Sequence, residues 1–511
     1  MTSTTNPTTT SSGLPVDDAA RRLLLTDLDR TFFVEAGAGT GKTTMLVGRI
    51  VSLVAAGRVA MEELAAITFT EAAAAELRDR VREGLEKATA DPARTEEERR
   101  RCLEGVASID QAAIQTIHAF AGSLLRSYPL EAGLPPGFAT LDEIEQGVLF
   151  EERFRGWFWG EALRPPVGET IRRALLLGLT QQHLRDLAAE LEEQHDLLTT
   201  TTTWASAPPL DAVAAAHEVG ATLPELDTWI QYALNGPADP LAQVVARAQP
   251  WAVRLQTCVT EEQALVALRG LGHLRATAGS QRNWGKLPDG TNACRAIKDQ
   301  LKAVNEQTAQ VLESHRAASL AQVLAALRDF TQASVAARRG EGVATFHDLL
   351  TWARDLLRDR PEVRRRAQDR YRRIFVDEFQ DTDPLQAEIV FYLAAESEDH
   401  LPADWQDIRL VPGKLFVVGD PKQSIYRFRR ADIGVYDDLL QRLADGRVYL
   451  VQNFRSVEPL LAWVNHHFTA TMQATARVQP AEAALIFTGK QATMKPVDGR
   501  ASRFDSFSMW Q

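Results

Sequence analysis

The sequence predicts an α/β fold, a parallel, doubly wound sheet interrupted by a long helical insertion. Three observations predict it. Short apolar, strand-like runs alternate with helix-length periodic stretches near the N-terminus; helical periodicity alone fills the region from about Leu141 to Gly340; strand-like runs return from Arg373 onward. Alternation of this kind builds parallel sheets, because a parallel pair needs a crossover long enough to hold a helix.

The elements follow in order. Thr31 to Glu35 reads as a buried strand, followed by a Gly-rich turn and a periodic stretch from Thr43 to about Ala55. Leu64 to Phe69 is a second strand, and the Ala/Glu/Arg-rich run from Glu71 to about Ala90 a helix. In the insertion, Leu320, Val323, Leu324 and Leu327 recur at helical spacing and make one apolar stripe. A polar run, Thr199 to Thr203, and then Pro208 and Pro209 mark a loop within it. Arg373 to Asp377, Lys414 to Gly419 and Val448 to Gln452 read as strands, and beyond about Gln479 the chain turns polar and patternless.

Composition narrows the function classes. A chain of 511 residues exceeds one ordinary domain and suggests roughly three or four. Hydrophobic residues at 45% and charged ones at 24% indicate a globular chain, not a fibrous one. The three cysteines, Cys102, Cys258 and Cys294, are far apart and in no paired spacing, which argues against a disulfide framework, a zinc site or an iron–sulfur cluster. Met1 to Gly13 is Ser/Thr-rich, without the basic start and apolar run of a signal peptide, and is expected to be a disordered tail. No apolar run reaches membrane-spanning length, so no membrane partner is expected and the cytoplasm is the default location. The net charge of −11 neither supports nor excludes nucleic acid, since a local basic track suffices to hold a strand.

Four segments carry chemistry. Ala36, Gly37, Ala38, Gly39, Thr40, Gly41, Lys42 and Thr43 match the Walker A spacing between a strand and a helix. Small residues let backbone N–H groups turn inward around a phosphate at a helix N-terminus; Lys42 would reach the β- and γ-phosphates of ATP and Thr43 would ligate Mg²⁺. A Gly-rich strand-to-helix turn also arises for tight packing alone; Lys and Thr both in register argue against that alternative. Ile374 to Asp381 ends an apolar strand in acids, with Asp377 suited to holding Mg²⁺ and Glu378 to polarising the attacking water. By itself an Asp-Glu pair at a strand end is more often a solvated turn; its company changes the reading. Gly419 to Arg429 follows a third strand: Gln423 can sense a γ-phosphate, and Tyr426, Phe428 and the interleaved arginines offer stacking faces and phosphate partners. The alternative is a surface turn with aromatic anchors. In Asn453 to Ser456, Arg455 can serve as an arginine finger, while Ser456 suits a helix cap.

Taken in order, Ala36 to Thr43, Thr68 to Thr70 with Glu76 and Arg80, Thr116 to Phe120, Asp377 to Asp381, Gly419 to Arg429 and Asn453 to Ser456 resemble superfamily 1A DNA helicases, the UvrD/Rep group and the RecB/AddA helicase-nucleases. Thr116 to Gly133 looks closest to the RecB/AddA-like branch. The resemblance implies that Lys42, Thr43, Asp377, Glu378, Gln423 and Arg455 bind and hydrolyse ATP, that Phe454 stacks on adenine, and that Phe69, His118, Tyr426 and Phe428 contact single-stranded DNA. Taken alone, His118 reads equally well as a core or capping residue and Phe69 as core. The implied fold is a P-loop RecA-like lobe over 14–140 and 340–440, split by a 1B-like helical insertion over 141–339, with a second RecA-like lobe beginning within 441–511. Implied partners are single-stranded or partly duplex DNA and a helicase-nuclease partner protein, in 3′→5′ unwinding for DNA repair or recombination.

The sequence departs from that pattern in three places. Asp17 to Arg21 stands where many members carry an adenine-reading Gln, so adenine selectivity rests largely on Phe454. Glu71 and Ala72 stand where Asn and Lys are frequent. The later motifs have no counterpart before Gln511, so the chain is expected to be an incomplete motor. The alternatives are a regulatory subunit that binds ATP and single-stranded DNA without unwinding, and an unrelated P-loop enzyme such as a kinase, against which Gln423 to Phe428 and Asn453 to Ser456 argue.

Overall fold

The computed structural model describes residues 15–198, 202–398, 400–402, 404–426, 430–431 and 433–471. The N-terminal tail, Thr199 to Thr201 of the polar run, and the patternless segment after Gln479 lie outside the described residues. The chain divides into two compact units: the described residues of Met1–Thr140 with those of Gly342–Gln511, and Leu141–Glu341.

The first unit is built on parallel strands: β1 Phe32–Ala36, β2 Leu64–Thr68, β3 Ala113–Thr116, β4 Ala139–Thr140, β5 Val343–Ala344, β6 Arg373–Val376, β7 Leu415–Gly419 and β8 Arg447–Leu450. Six form one sheet in the order β3-β2-β6-β7-β1-β8, every pairing parallel, while β4 and β5 pair separately. The residues of β1, β2 and β7 are buried throughout, as a sheet covered on both faces requires. Beneath one face Phe32, Val34, Phe375, Phe416, Val448 and Leu450 pack with Leu46 and Ile50 of the helix Lys42–Ala55 and with Leu77, Val81 and Leu85 of the helix Glu71–Ala90. The rings of Phe33, Phe379 and Tyr436 pack together, Phe33 edge-on to Tyr436 at 4.9 Å between centroids.

Two strands of the six-stranded sheet depart from the sequence reading. β3 was not expected; its residues, Ala113, Ile114, Gln115 and Thr116, lack an apolar run and pair as an edge strand beside β2. Val448 to Gln452 was expected to open a second lobe. Instead β8 is the sixth strand of this sheet, joined to β1 from Phe33↔Arg447 to Ala36↔Leu450. The reason is physical: Val448 and Leu450 face the same core as Val34, and Arg447 Nη2 donates to the buried Glu35 Oε2 at 2.6 Å. Gly446 permits the approach, because a Cβ there would collide with the Thr31 carbonyl.

The second unit is helical, and its described residues contain no strand beyond isolated bridges. It runs from the helix Glu143–Trp157 to the 49-residue helix Ala293–Glu341. One core joins Val219, Leu223, Val245, Leu255, Leu268 and Ile297; another joins Phe154, Phe158, Ile171, Leu184 and Phe330 to Val323 and Leu327 of the expected stripe. Leu320 of that stripe stands 40% exposed. A buried pair, Arg338 with Glu192, braces the long helix. No described helix is long and apolar enough to cross a membrane.

Arg49 is the least expected member of the first core, a guanidinium 1% exposed. It donates to the carbonyls of Leu24 and Asp27 through Nη1 and of Arg30 through Nη2, and lies over the rings of Phe32 and Phe416. It thereby ties the segment entering β1 to the P-loop helix, and burial holds its pKa down to about 10. Arg49→Leu strands three carbonyls, each a loss of about 1–3 kcal/mol if unsatisfied. In urea unfolding the variant is expected to lose several kcal/mol, in contrast to a neutral result for Arg58→Leu, whose side chain is half exposed.

Candidate functional site

Six segments that the sequence singled out leave the same edge of the parallel sheet, the carboxyl ends of the strands, where open α/β sheets place their ligands. After β1 the chain turns through Gly39 (φ 75°) and Gly41 (φ 84°), a left-handed backbone that favours glycine, into the helix that starts at Lys42. Thr40 is buried, its hydroxyl donating to Gly37 O at 2.7 Å, so this residue shapes the loop from behind.

The loop following β8 is docked on this turn. Asn453 Nδ2 donates to Ala38 O and the Phe454 N–H to Gly39 O, both at 2.7 Å. A Cβ at position 39 would lie 2.8 Å from both Asn453 Nδ2 and Arg455 Cβ, a second reason for glycine there. Asn453 Oδ1 in turn accepts from the N–H groups of Arg455 and Ser456. Ser456 was expected to cap the next helix; that helix begins at Glu458, and Asn453 organises the turn before it.

A cavity of about 630 Å³ opens here. Its walls bring together Lys42, Thr43, Glu378, Gln423, Phe454 and Arg455, with Ala38, Gly39 and Gly41 at its floor. Lys42 Nζ donates to Glu378 Oε2 at 2.7 Å. Glu378 holds φ 52°, one of two described non-glycine residues with positive φ, a conformation that costs energy and clusters at functional sites. No described carboxylate lies within ion-pair distance of Arg455. Asp377 is not on the cavity wall: its Oδ1 accepts the Glu378 N–H at 3.0 Å. Burial, then the Glu378 charge, push Asp377 up to about 6, and the same two causes push Asp381 up to about 6. Among the described residues no three His, Cys, Asp or Glu side chains cluster as a metal cage. Of the two residues expected to hold magnesium, Thr43 lines the cavity and Asp377 lies behind Glu378.

Several contributors were not foreseen. Asp17 and Arg21 form a strut at the base of the cavity. Arg21 donates to both Asp17 oxygens and to Thr40 O at 2.9 Å, and its guanidinium lies 4.8 Å from the Phe454 ring centroid. Asp17 Oδ2 accepts the N–H groups of Val451 and Gln452 at the end of β8. Burial opposes the Asp17 charge, but the Arg21 hydrogen bond and these two N–H groups outweigh it and hold the carboxyl below its usual range. One ion pair thus positions the phosphate loop and Phe454 together. Glu76 and Arg80, which the sequence did single out, pair at 2.5 Å and also line the cavity.

The other aromatic residues singled out in the sequence are not on the cavity wall. The Phe69 and Tyr426 rings lie 4.6 Å apart, and His118 stands edge-on to Phe346 at 5.8 Å. Phe346, 51% exposed at the start of the helix Phe346–Asp359, and His347, to which Arg430 donates at 3.3 Å, adjoin His118 and were not singled out in the sequence. Burial and then His347 push the His118 imidazole below its ordinary value. Phe428 lies outside the described residues.

Two predictions follow from this geometry. Arg21→Ala should weaken binding of a fluorescent ATP analogue by about tenfold, the effect of about 1.4 kcal/mol, and weaken inorganic triphosphate, which lacks the base, by a smaller factor that reports the lost contact to the Thr40 carbonyl alone. Because the folded pKa of His118 lies below its ordinary 6.5, its neutral form contributes stability present above pH 6.5 and lost as pH falls through the folded value. His118→Gln should therefore flatten the unfolding free energy between about pH 7 and pH 5, and an unchanged acid slope would count against the burial assigned to this ring.

Comparison with known proteins matches this geometry to a family. A model of the UvrD/REP helicase N-terminal domain matches residues 17–444. An ATP-dependent helicase/nuclease subunit of Ligilactobacillus salivarius is 27% identical over 520 residues, covering 89% of this chain and 38% of that protein. Proteins of the same name from Geobacillus thermodenitrificans (29% over 504 residues; 87% of this chain, 38% of the relative) and Streptococcus sanguinis (27% over 528 residues; 93% and 41%) align likewise. The chain thus spans about two-fifths of the length of these relatives, which carry the helicase-nuclease description expected of the RecB/AddA-like branch. With the match extending over most of its length and reaching the P-loop, the acidic strand end and the third-strand segment, the chain belongs to the UvrD/REP helicase N-terminal domain family.

Proposed function

We propose that this chain forms the ATP-hydrolysing lobe of a DNA helicase that translocates 3′→5′ on single-stranded DNA. The observation that carries the reading is the convergence of Lys42, Glu378, Gln423, Phe454 and Arg455, drawn from four strand ends, on one cavity. Their chemistry is complementary to a nucleoside triphosphate: backbone N–H groups and Lys42 for phosphate, an aromatic face for the base, an unneutralised guanidinium for the γ-end.

The Lys42–Glu378 pair gives the sequence of events. When the triphosphate enters, its oxygens replace Glu378 as the partner of Lys42. Glu378 then accepts a proton from the water whose oxygen attacks the γ-phosphorus; the bond from that phosphorus to the β,γ-bridging oxygen breaks, leaving ADP and phosphate. Gln423 hydrogen-bonds the γ-phosphate and Arg455 offsets charge developing there. A magnesium ion, when bound, would be held by the Thr43 hydroxyl and, through water, by Asp377, and would supply charge neutralisation. Phe69, Tyr426 and His118, with Phe346, form the stacking face for unpaired bases, each worth about 1–3 kcal/mol in such sites. A nuclease-bearing assembly is the setting that the names of the relatives suggest.

The test is steady-state ATPase with and without oligo(dT), with Lys42→Ala and Glu378→Gln as controls. DNA-stimulated turnover that falls at least 100-fold in Glu378→Gln, with nucleotide binding retained, is the expected result. Nucleotide binding equal in Lys42→Ala and the parent would overturn the P-loop assignment. DNA and ATP binding without turnover would instead favour the regulatory-subunit reading.

A further inference from the structure

We infer that Gln380 is a positioning residue that links the single-strand stacking face to the Glu378 carboxylate; the inference rests on the helicase reading above. Gln380 is 1% exposed and sits in the turn Phe379–Asp381 directly after Glu378. Its amide is fixed in orientation by its neighbours. Oε1 accepts the Asp420 N–H at 2.8 Å, so Nε2 must face the acids, where it donates to Glu378 Oε2 at 2.8 Å and Asp381 Oδ2 at 3.2 Å. Glu378 Oε2 is the same oxygen that Lys42 holds.

The other end of the link is the segment carrying Gln423 and Tyr426. The Gln380 carbonyl accepts the Ser424 hydroxyl at 3.2 Å, and Asp420 Oδ2 accepts Gln423 Nε2 at 2.6 Å. Two residues after Ser424 comes Tyr426, whose ring packs on Phe69. One buried residue therefore binds the 420–426 segment at two points and the proposed general base at one. A rigid, fully bonded amide transmits displacement because neither end can shift without leaving a buried donor or acceptor unmatched.

The surroundings are shaped for an amide at this position. A Cβ on residue 419 would lie 3.0 Å from Gln380 Oε1 and 2.9 Å from the Tyr436 ring, so Gly419 leaves the space that the amide fills. A glutamate at position 380 could still accept from Asp420 but would set a third carboxylate beside Glu378 and Asp381. A methionine would match the length with neither donor nor acceptor. When a strand seats against Tyr426, the 420–426 segment is held, and with it the amide that sets the Glu378 carboxylate relative to Lys42. The coupling runs in reverse by linkage: a triphosphate that releases Lys42 from Glu378 changes the strand affinity at Tyr426 by the same factor.

The experiment measures that factor directly and requires no turnover. The affinity of the chain for fluorescein-labelled oligo(dT) is determined by anisotropy with and without AMP-PNP and Mg²⁺, and the affinity for a fluorescent ATP analogue with and without oligo(dT). The parent is expected to show a matching change of about fivefold or more in both titrations, within the usual range for coupled sites. Gln380→Met and Gln380→Glu should reduce it below twofold, with each ligand alone binding within threefold of the parent. Ser424→Ala, which removes one link without touching the buried amide, should give an intermediate value and stands in if the Gln380 variants fail to fold. A parent that binds neither ligand defeats the helicase reading and this inference with it. A parent that binds both without linkage, or variants of Gln380 or Ser424 that keep the full factor, overturn this inference alone.

Discussion

Everything at the cavity depends on β1 being paired on both sides. Its partner β7 ends in Gly419 and Asp420, its partner β8 runs into Asn453, and its own end becomes the phosphate loop. Parallel pairing brings three strand ends to one edge at a spacing of roughly 5 Å per strand, close enough for side-chain and backbone hydrogen bonds to cross between the loops. Had β8 belonged to a separate sheet, Asn453 could not bridge to Ala38 nor Phe454 to Gly39 in a fixed register. Arg447 bound to Glu35 and Asp17 bound to the N–H groups of Val451 and Gln452 hold this pairing at its two ends.

Within that frame most of the polar side chains pair with one another. Lys42 is matched by Glu378, Arg21 by Asp17, Arg80 by Glu76 and Gln423 by Asp420. The pairings differ in kind. Arg21–Asp17 is largely buried and knitted into backbone groups, which makes it a structural strut. Arg80–Glu76 is open to water, where such pairs are worth about 0–1 kcal/mol and exchange readily. Lys42–Glu378 joins a cation that is 10% exposed to a carboxylate that is 35% exposed. An incoming anion competes with it directly, and the strain at Glu378 means that this carboxylate is placed by its surroundings and not by backbone preference.

The legibility of the sequence divides along the same lines. The sheet strands with long apolar runs and the helices with clear caps or periodicity could be read directly, as could the P-loop, because its chemistry is local to eight consecutive residues. The four-residue β3 could not, since Ala113 to Thr116 is a strand only by pairing with β2 and carries no alternating pattern of its own. Nor could the assignment of β8 to the first sheet, which depends on a contact between Arg447 and Glu35, 412 positions apart. The hydrogen-bonding roles of Asn453, Gln380, Asp17 and Arg21 were not legible for the same reason, although all four lay in segments that the sequence singled out: their partners are backbone atoms and carboxylates brought together only by the fold. Asp377 shows the converse limit. Its type and position suited a metal ligand, yet the structure sets it behind Glu378, where one oxygen is already bonded to a backbone N–H.

The position of the helical unit in the chain follows from this geometry too. It leaves the first unit after β4 and returns at β5, two short strands that pair with each other from Ala139↔Val343 to Thr140↔Ala344. Gly342, at φ 74°, permits the return, and its carbonyl accepts the Ala139 N–H at 2.9 Å. The two ends of a segment of about two hundred residues are thereby held together by a few backbone hydrogen bonds, and its length costs the first unit little, because closing a loop grows more expensive only as the logarithm of its length. Immediately after the return comes the helix Phe346–Asp359, which presents Phe346 to His118. A long insertion and an exposed aromatic therefore share one anchoring point. The proposed stacking face would draw on residues from both sides of that point, and a continuous reading of either half of the sequence would have found only part of it.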